Sequence, residues 1–159
     1  IELLGGTKDL HAGQFIDRVG VRLGIPFPAG PRLEVIARNG ENGRGMIPSS
    51  VRGYEVSFSG PESQAQRLID QGVPSGQVAR AAESCIAKTL VKLITRGILD
   101  YDLKDVLVVG GVAANQFIRS ELKTQLKKLG AKLYFAEPQF SSDNAVGAAV
   151  IASGVLYKV

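Results

Sequence analysis

"DVLVVGGVAANQFIRSEL", residues 105–122, is the stretch whose reading sets the fold. A short apolar run, Val106 to Val109, stops at Gly110-Gly111, and a helical pattern follows with Ile118, Leu122, Leu126 and Leu129 on one face. An apolar run of strand length, broken by glycine and resumed at helical spacing, is a strand–turn–helix unit. Two glycines at that handover have two readings. The turn is tight, or something approaches the backbone where no Cβ keeps it away. In open α/β sheets ligands bind at the carboxyl ends of strands, where free N–H groups and the helix dipole favour phosphate. The pattern is neither G-x-G-x-x-G nor a P-loop, since no Lys-Ser/Thr pair follows. The residues alone leave both readings open. Asn115 falls in the first helical turn, where its amide suits either a cap or a ribose or phosphate contact.

Working outward, a second strand is expected over 131–136 and a last helix over 144–157. Strand, helix, strand, helix at this spacing predicts α/β layering with the two strands parallel. Upstream, the clearest helix spans about 76–96, where Val78, Ala81, Ala82, Cys85, Ile86, Thr89, Leu90, Leu93 and Ile94 recur at helical spacing. "YEVSFSG" (54–60) alternates like a strand, and 61–71 reads as helix. "RNGENGRG" (38–45) reads as a polar loop, and a weak domain boundary is placed near 38–50. Residues 32–38 suit a short helix. "IPFPAGP" (25–31), with three prolines, excludes regular structure. Phe15, Ile16, Val19 and Leu23 mark a first helix over 9–24.

Composition narrows the function classes. The chain is 45% apolar and 21% charged over 159 residues, enough for one well-cored domain. No apolar run approaches the ~20 residues of a membrane span, so no membrane partner is expected. One cysteine, Cys85, excludes an internal disulfide framework. With one His and one Cys, the chain cannot build a zinc site from nitrogen and sulfur ligands by itself. A net charge of +4 leans towards anionic partners without marking a nucleic-acid binder.

Several residues carry a functional and a bland reading together. In "FSSDNAVGAAVIASG" (140–154), Ser142 or Asp143 makes a good N-cap, and Asp143 could equally ligate a metal completed elsewhere. Asp17 reads as a solvated acid pairing with Arg22, and Glu34 as a first-turn acid. His11 reads as surface or capping. Arg119, Lys123, Lys127, Lys128 and Lys132 read as the wet stripe of a helix. Cys85 lies on an apolar face and reads as packing.

Taken together, "LLGGTKDLHAGQFIDRVGVRLGIPFPAGPRLE" (3–34), "VSFSG" (56–60), "GGVAANQFIRSEL" (110–122) and "SSDNAVGAAVIA" (141–152) resemble the TsaD/Gcp family in order and spacing. Older usage calls its members O-sialoglycoprotein endopeptidases, or glycoproteases. The resemblance implies an α/β, ribonuclease-H-like lobe of the actin-like ATPase superfamily. It also implies transfer of a threonylcarbamoyl group from an adenylate to the adenosine beside the tRNA anticodon. Asp17 matches the acid of an "FDK" element that contacts the nucleotide ribose, here Ile16-Asp17-Arg18. Gly30 matches the second glycine of "PGGP", here Pro28-Ala29-Gly30-Pro31, and Glu34 a further polar nucleotide contact. Asn115 matches the Asn of GGVAAN, so Gly110 and Gly111 would let phosphates of ATP or threonylcarbamoyl-adenylate reach the backbone. Asp143 matches the metal-binding Asp of "TDN", the implied metal being iron or zinc as a Lewis acid.

The departures point two ways. An H-x-x-x-H element that supplies the family's metal-binding histidines is not in this chain, nor is an upstream phosphate-binding glycine loop. The expectation is therefore a C-terminal portion, residues 1–159, of a longer protein. In that protein the nucleotide, tRNA and protein subunits of a threonylcarbamoyl-transfer complex would be partners. An exposed lobe interface could then support self-association. The family's Asp-Asp pair reads Asp9-Leu10, its following Glu reads Gln14, and the Lys after "SFSG" reads Glu62. A catalytically inactive, nucleotide-binding or partner-docking scaffold is therefore the alternative. A metalloprotease survives as a third reading in the family's older name alone, since no H-E-x-x-H is present. The cytoplasm is the expected location, a mitochondrial or plastid matrix the alternative.

Overall fold

A computed structural model describes residues 2–141. Its organising element is α4 (Ser75–Tyr101), a helix of 27 residues. Every residue from Val78 to Ala87 is buried, so this half of the helix is surrounded rather than amphipathic. Ala79, Ala81, Ala82 and Ala87 make that feasible, because small side chains let neighbouring helices approach on all sides. Around α4 pack α1 (Ala12–Arg22), α2 (Gly30–Ala37), α3 (Ser59–Asp70) and α5 (Gln116–Leu126). Phe15, Val19, Leu33, Ile47, Ile86, Ile118, Leu122 and Leu126 form one continuous core with them. That core runs through the proposed boundary near 38–50, whose Ile47 is fully buried.

Two small sheets flank the helices. β1 (Gly6–Thr7) pairs parallel with β3 (Glu55–Ser57), and β2 (Ser50–Arg52) pairs antiparallel with β3 through a turn at Gly53. β4 (Asp105–Val108) runs parallel to β5 (Lys132–Phe135), Asp105 opposite Lys132 and Val108 opposite Phe135. α5 is the crossover between them. Val108, Leu133 and Phe135 face the core, whereas Leu107, Val109 and Tyr134 are exposed.

The α/β class and the parallel pair agree with expectation; several boundaries do not. α4 continues past Arg96 to Tyr101, because burial of Gly97 and Ile98 outweighs the cost of about 1 kcal/mol for a helical glycine. "YEVSFSG" is strand only over Glu55–Ser57, and its Ser59 already opens α3. β1 and β2, of two and three residues, were too short to show alternation. The last expected helix and Asp143 lie outside the described residues.

Candidate functional site

β4 ends at a turn in which Gly110 takes φ 105°, ψ 161°, and residues Gly111–Ala114 form one 3-10 turn. The Ala113 N–H donates to the Gly110 carbonyl at 2.9 Å, and the Asn115 N–H to the Val112 carbonyl at 3.2 Å. The two glycines have different reasons to be there. At Gly110 a side chain is excluded by the positive φ. Gly111 has no positive φ, and a Cβ built on it meets nothing within 4 Å among the described residues. Neither its backbone conformation nor the described residues around it require glycine at 111. Gly30, the first residue of α2, is similar: its Cβ would stand 3.8 Å from Ile16 Cγ2, an ordinary contact.

Asn115 is the N-cap of α5, its Oδ1 accepting from the Ile118 N–H at 2.9 Å. Its Nδ2 donates to Glu83 Oε1 at 2.7 Å. Next to it, the Gln116 N–H donates to Glu34 Oε1 at 3.0 Å, a carboxylate at a helix N-terminus where the dipole favours it. Glu34 so ties α2 to α5. Asp17 ties α1 to α2, its Oδ1 accepting from the Ala29 N–H at 2.8 Å immediately before Gly30. α1 returns to the glycine turn at Gly13, where a Cβ would lie 3.9 Å from Val112. Asp17, Gly30, Glu34, Asn115 and the Gly110–Gly111 turn thus stand on adjoining elements at the carboxyl end of β4. On the Asp17 side an open groove of about 780 Å³ is lined by Gln14, Asp17, Arg18, Phe27 and Glu62; it does not reach Asn115 or the glycines.

Two expectations change. Asp17 does not pair with Arg22, which binds Asp70 at 2.6 Å instead; a helix-start N–H in the next element outcompetes a neighbour on the same helix. Arg119 does not belong to a wet stripe. Its Nε donates to the Ala113 carbonyl and its Nη2 to the Ala136 carbonyl at 2.6 Å, with Phe135 5.1 Å beneath the guanidinium. It clamps the segments that follow β4 and β5. Other residues behave as read: His11 caps α1, its N–H bonded to Gln14 Oε1 at 2.9 Å, and Cys85 is buried, its thiol pushed up to about 11 chiefly by that burial.

Sequence reasoning missed a buried polar network beneath Asn115. Glu83 is fully buried, and its Oε2 accepts from Arg80 Nη1 at 2.7 Å. Arg80 Nε lies 3.3 Å from Glu41 Oε1, close enough for an ion pair but not aligned for a hydrogen bond. The Arg80 guanidinium lies over the Phe117 ring at 4.0 Å and that of Arg44 at 4.7 Å, with Arg44 held by Glu41 and Glu121. The i,i+3 spacing of Arg80 and Glu83 was the one visible signal. Asp9 was missed as well. It accepts from Ser57 Oγ, Ser59 Oγ and the Phe58 and Leu10 N–H groups, which hold its carboxyl well below the usual range.

Among the described residues no three His, Cys, Asp or Glu side chains come together to hold a metal ion. The described donor set therefore does not fit an iron or zinc site, and a metal would depend on Asp143 and on ligands outside these residues. No described helix is long and apolar enough to cross a membrane.

A parallel strand pair that opens through a glycine turn onto a capped helix, with acids from two further helices beside it, makes this an α/β lobe. The lobe superposes on the crystal structure of T. kodakarensis HypF with a TM-score of 0.69 over 91% of this chain and 20% of that one; at 21% identity the likeness is one of fold. The sequence model of one family, TsaD, tRNA N6-adenosine threonylcarbamoyltransferase, matches residues 1–150, and the chain belongs to that family. A threonylcarbamoyltransferase of Archaeoglobus fulgidus is 34% identical over 154 residues, covering 97% of this chain and 47% of the relative. One of Prochlorococcus marinus (strain MIT 9312) is 33% identical over 173 residues, covering all of this chain and 48% of the relative. The chain spans about half the length of these relatives.

Proposed function

We propose that this lobe supplies the nucleotide-binding C-terminal part of a tRNA N6-adenosine threonylcarbamoyltransferase, in which an adenylate donor is held against the Gly110–Gly111 turn. One observation carries the reading: Gly111 is a glycine that neither its backbone conformation nor packing among the described residues demands, beside a capped helix start. A bare backbone there suits the approach of phosphate oxygens. Asp17 spends Oδ1 on Ala29, and its Oδ2 has no further contact among the described residues, so it can accept from a ribose hydroxyl. Asn115 and Arg119 keep the turn in place, the first by capping α5 and the second by clamping the segments after both strands. The chain's contribution is binding and orientation of the donor. The described residues do not build the implied metal site, and no step is routed through one.

Calorimetry on the intact protein tests this reading. ATP should bind, and Asn115→Ala should weaken it at least tenfold; an intact protein that binds no adenine nucleotide refutes the proposal. Transfer of threonylcarbamoyl to tRNA adenosine, read by mass spectrometry of nucleosides, separates the enzyme from a non-catalytic scaffold. The scaffold reading draws on Gln14 and Glu62, whose side chains bond within their own helical segments, to the His11 N–H and to Gln66.

A further inference from the structure

We propose that Glu83 is a proton-sensitive positioning residue for Asn115, so that its ionised carboxylate holds the α5 start in the nucleotide-binding arrangement and its protonation releases it. This deepens the reading above and rests on it. Each oxygen of Glu83 already faces a donor: Asn115 Nδ2 on Oε1 and Arg80 Nη1 on Oε2, both at 2.7 Å. An ionised carboxylate only accepts, so it satisfies both. A proton on either oxygen points at a hydrogen already there. Arg80 cannot yield, because it remains a cation with Glu41 beside it and Phe117 beneath. Asn115 can: turning its amide over lets Oδ1 accept from the acid. The same turn brings Nδ2 to face the Ile118 N–H, and the cap of α5 is lost. One proton on α4 is thereby coupled to the first turn of α5, 32 residues further along the chain.

The surroundings put that proton in reach. Glu83 is fully buried, and the charged groups facing it are Arg80 on its own helix, Glu41 from a second 3-10 turn, Glu41–Gly43, and Glu34 from α2. Arg44 and Glu121 stand one contact further out, through Glu41 and Arg44. Burial pushes the Glu83 carboxyl up to about 7, against the opposing pull of Asn115 and Arg80. Two carboxylates nearby add to the rise. Protonation is thereby brought close to neutrality, and the ionised form is the one that keeps the cap of α5.

The test is ATP affinity of the intact protein from pH 5.5 to 8.5, wild type against Glu83→Gln. The glutamine keeps the shape and cannot titrate. Protonation of ATP itself is common to both proteins and cancels in their ratio. For one linked proton, wild-type affinity relative to the variant should fall about tenfold per pH unit below 7. In parallel, the side-chain amide resonances of Asn115, assigned by their loss in Asn115→Ala, should shift with a midpoint near 7 in the wild type. That readout does not require the variant to fold. Binding with a pH-independent ratio, or amide resonances that stay fixed, overturns the role of Glu83 and leaves the nucleotide site standing. Absence of ATP binding at every pH removes both.

Discussion

Gly40 and Gly43 on one side of α4, and Gly110 and Gly111 beyond α5, are two glycine pairs in one chain with opposite physical reasons. A Cβ on Gly40 would lie 1.8 Å from the Gly76 carbonyl oxygen, and one on Gly43 1.9 Å from that of Gln77. Those glycines let the 3-10 turn at Glu41–Gly43 lie directly on the α4 backbone. Around Gly110 and Gly111 no described residue comes within 4 Å of such a Cβ. The first pair is filled by the protein itself. The second has no such contact among the described residues, and it is there that the proposed nucleotide would approach the backbone.

Substitution breaks the comparison in a defined order. Gly43→Ala should be the most damaging, costing more than about 3 kcal/mol, because backbone rather than a yielding side chain stands in the way. Thermal unfolding should show the loss, and an unchanged midpoint would mean that the close approach to α4 is not real. Asn115→Ala comes next, at about 2–3 kcal/mol. It removes the cap and leaves buried Glu83 without one of its two donors. Urea titration at pH 8, where Glu83 is mostly ionised, measures it. Gly110→Ala should cost about 1–2 kcal/mol for the backbone strain alone, with no clash to relieve. Gly111→Ala should change stability by less than about 0.5 kcal/mol, yet reduce ATP affinity at least tenfold. A Gly111 variant that binds as well as the wild type would return the glycine pair to a plain turn.

How much could be read in advance follows from the range of each signal. Apolar spacing of Ile118, Leu122 and Leu126 is set within one helix, and Asn115, read in its first turn, is its N-cap. The run before Gly110 and the parallel pairing of β4 with β5 followed from the same local reasoning. Asp17, Glu34 and Asn115 were legible as candidates, but not what they bond. Asp17 meets the N–H of Ala29, Glu34 that of Gln116, 82 residues away, and Asn115 meets Glu83. Arg119 misled because its position on the helix matches that of solvated lysines. Only the packing of β5 against α5 turns it inward.

By itself the sequence determined the longer helices, the parallel strand pair with its crossover helix, the α/β class, the family, and the glycine turn as the place to look. Each of these depends on residue type at short spacing. The tertiary structure alone decided that no described residue crowds Gly111, that Gly40 and Gly43 are jammed against α4, and that a buried carboxylate lies under Asn115. Those facts depend on which distant backbone comes within a few ångströms, and periodicity along one element carries no information about that distance.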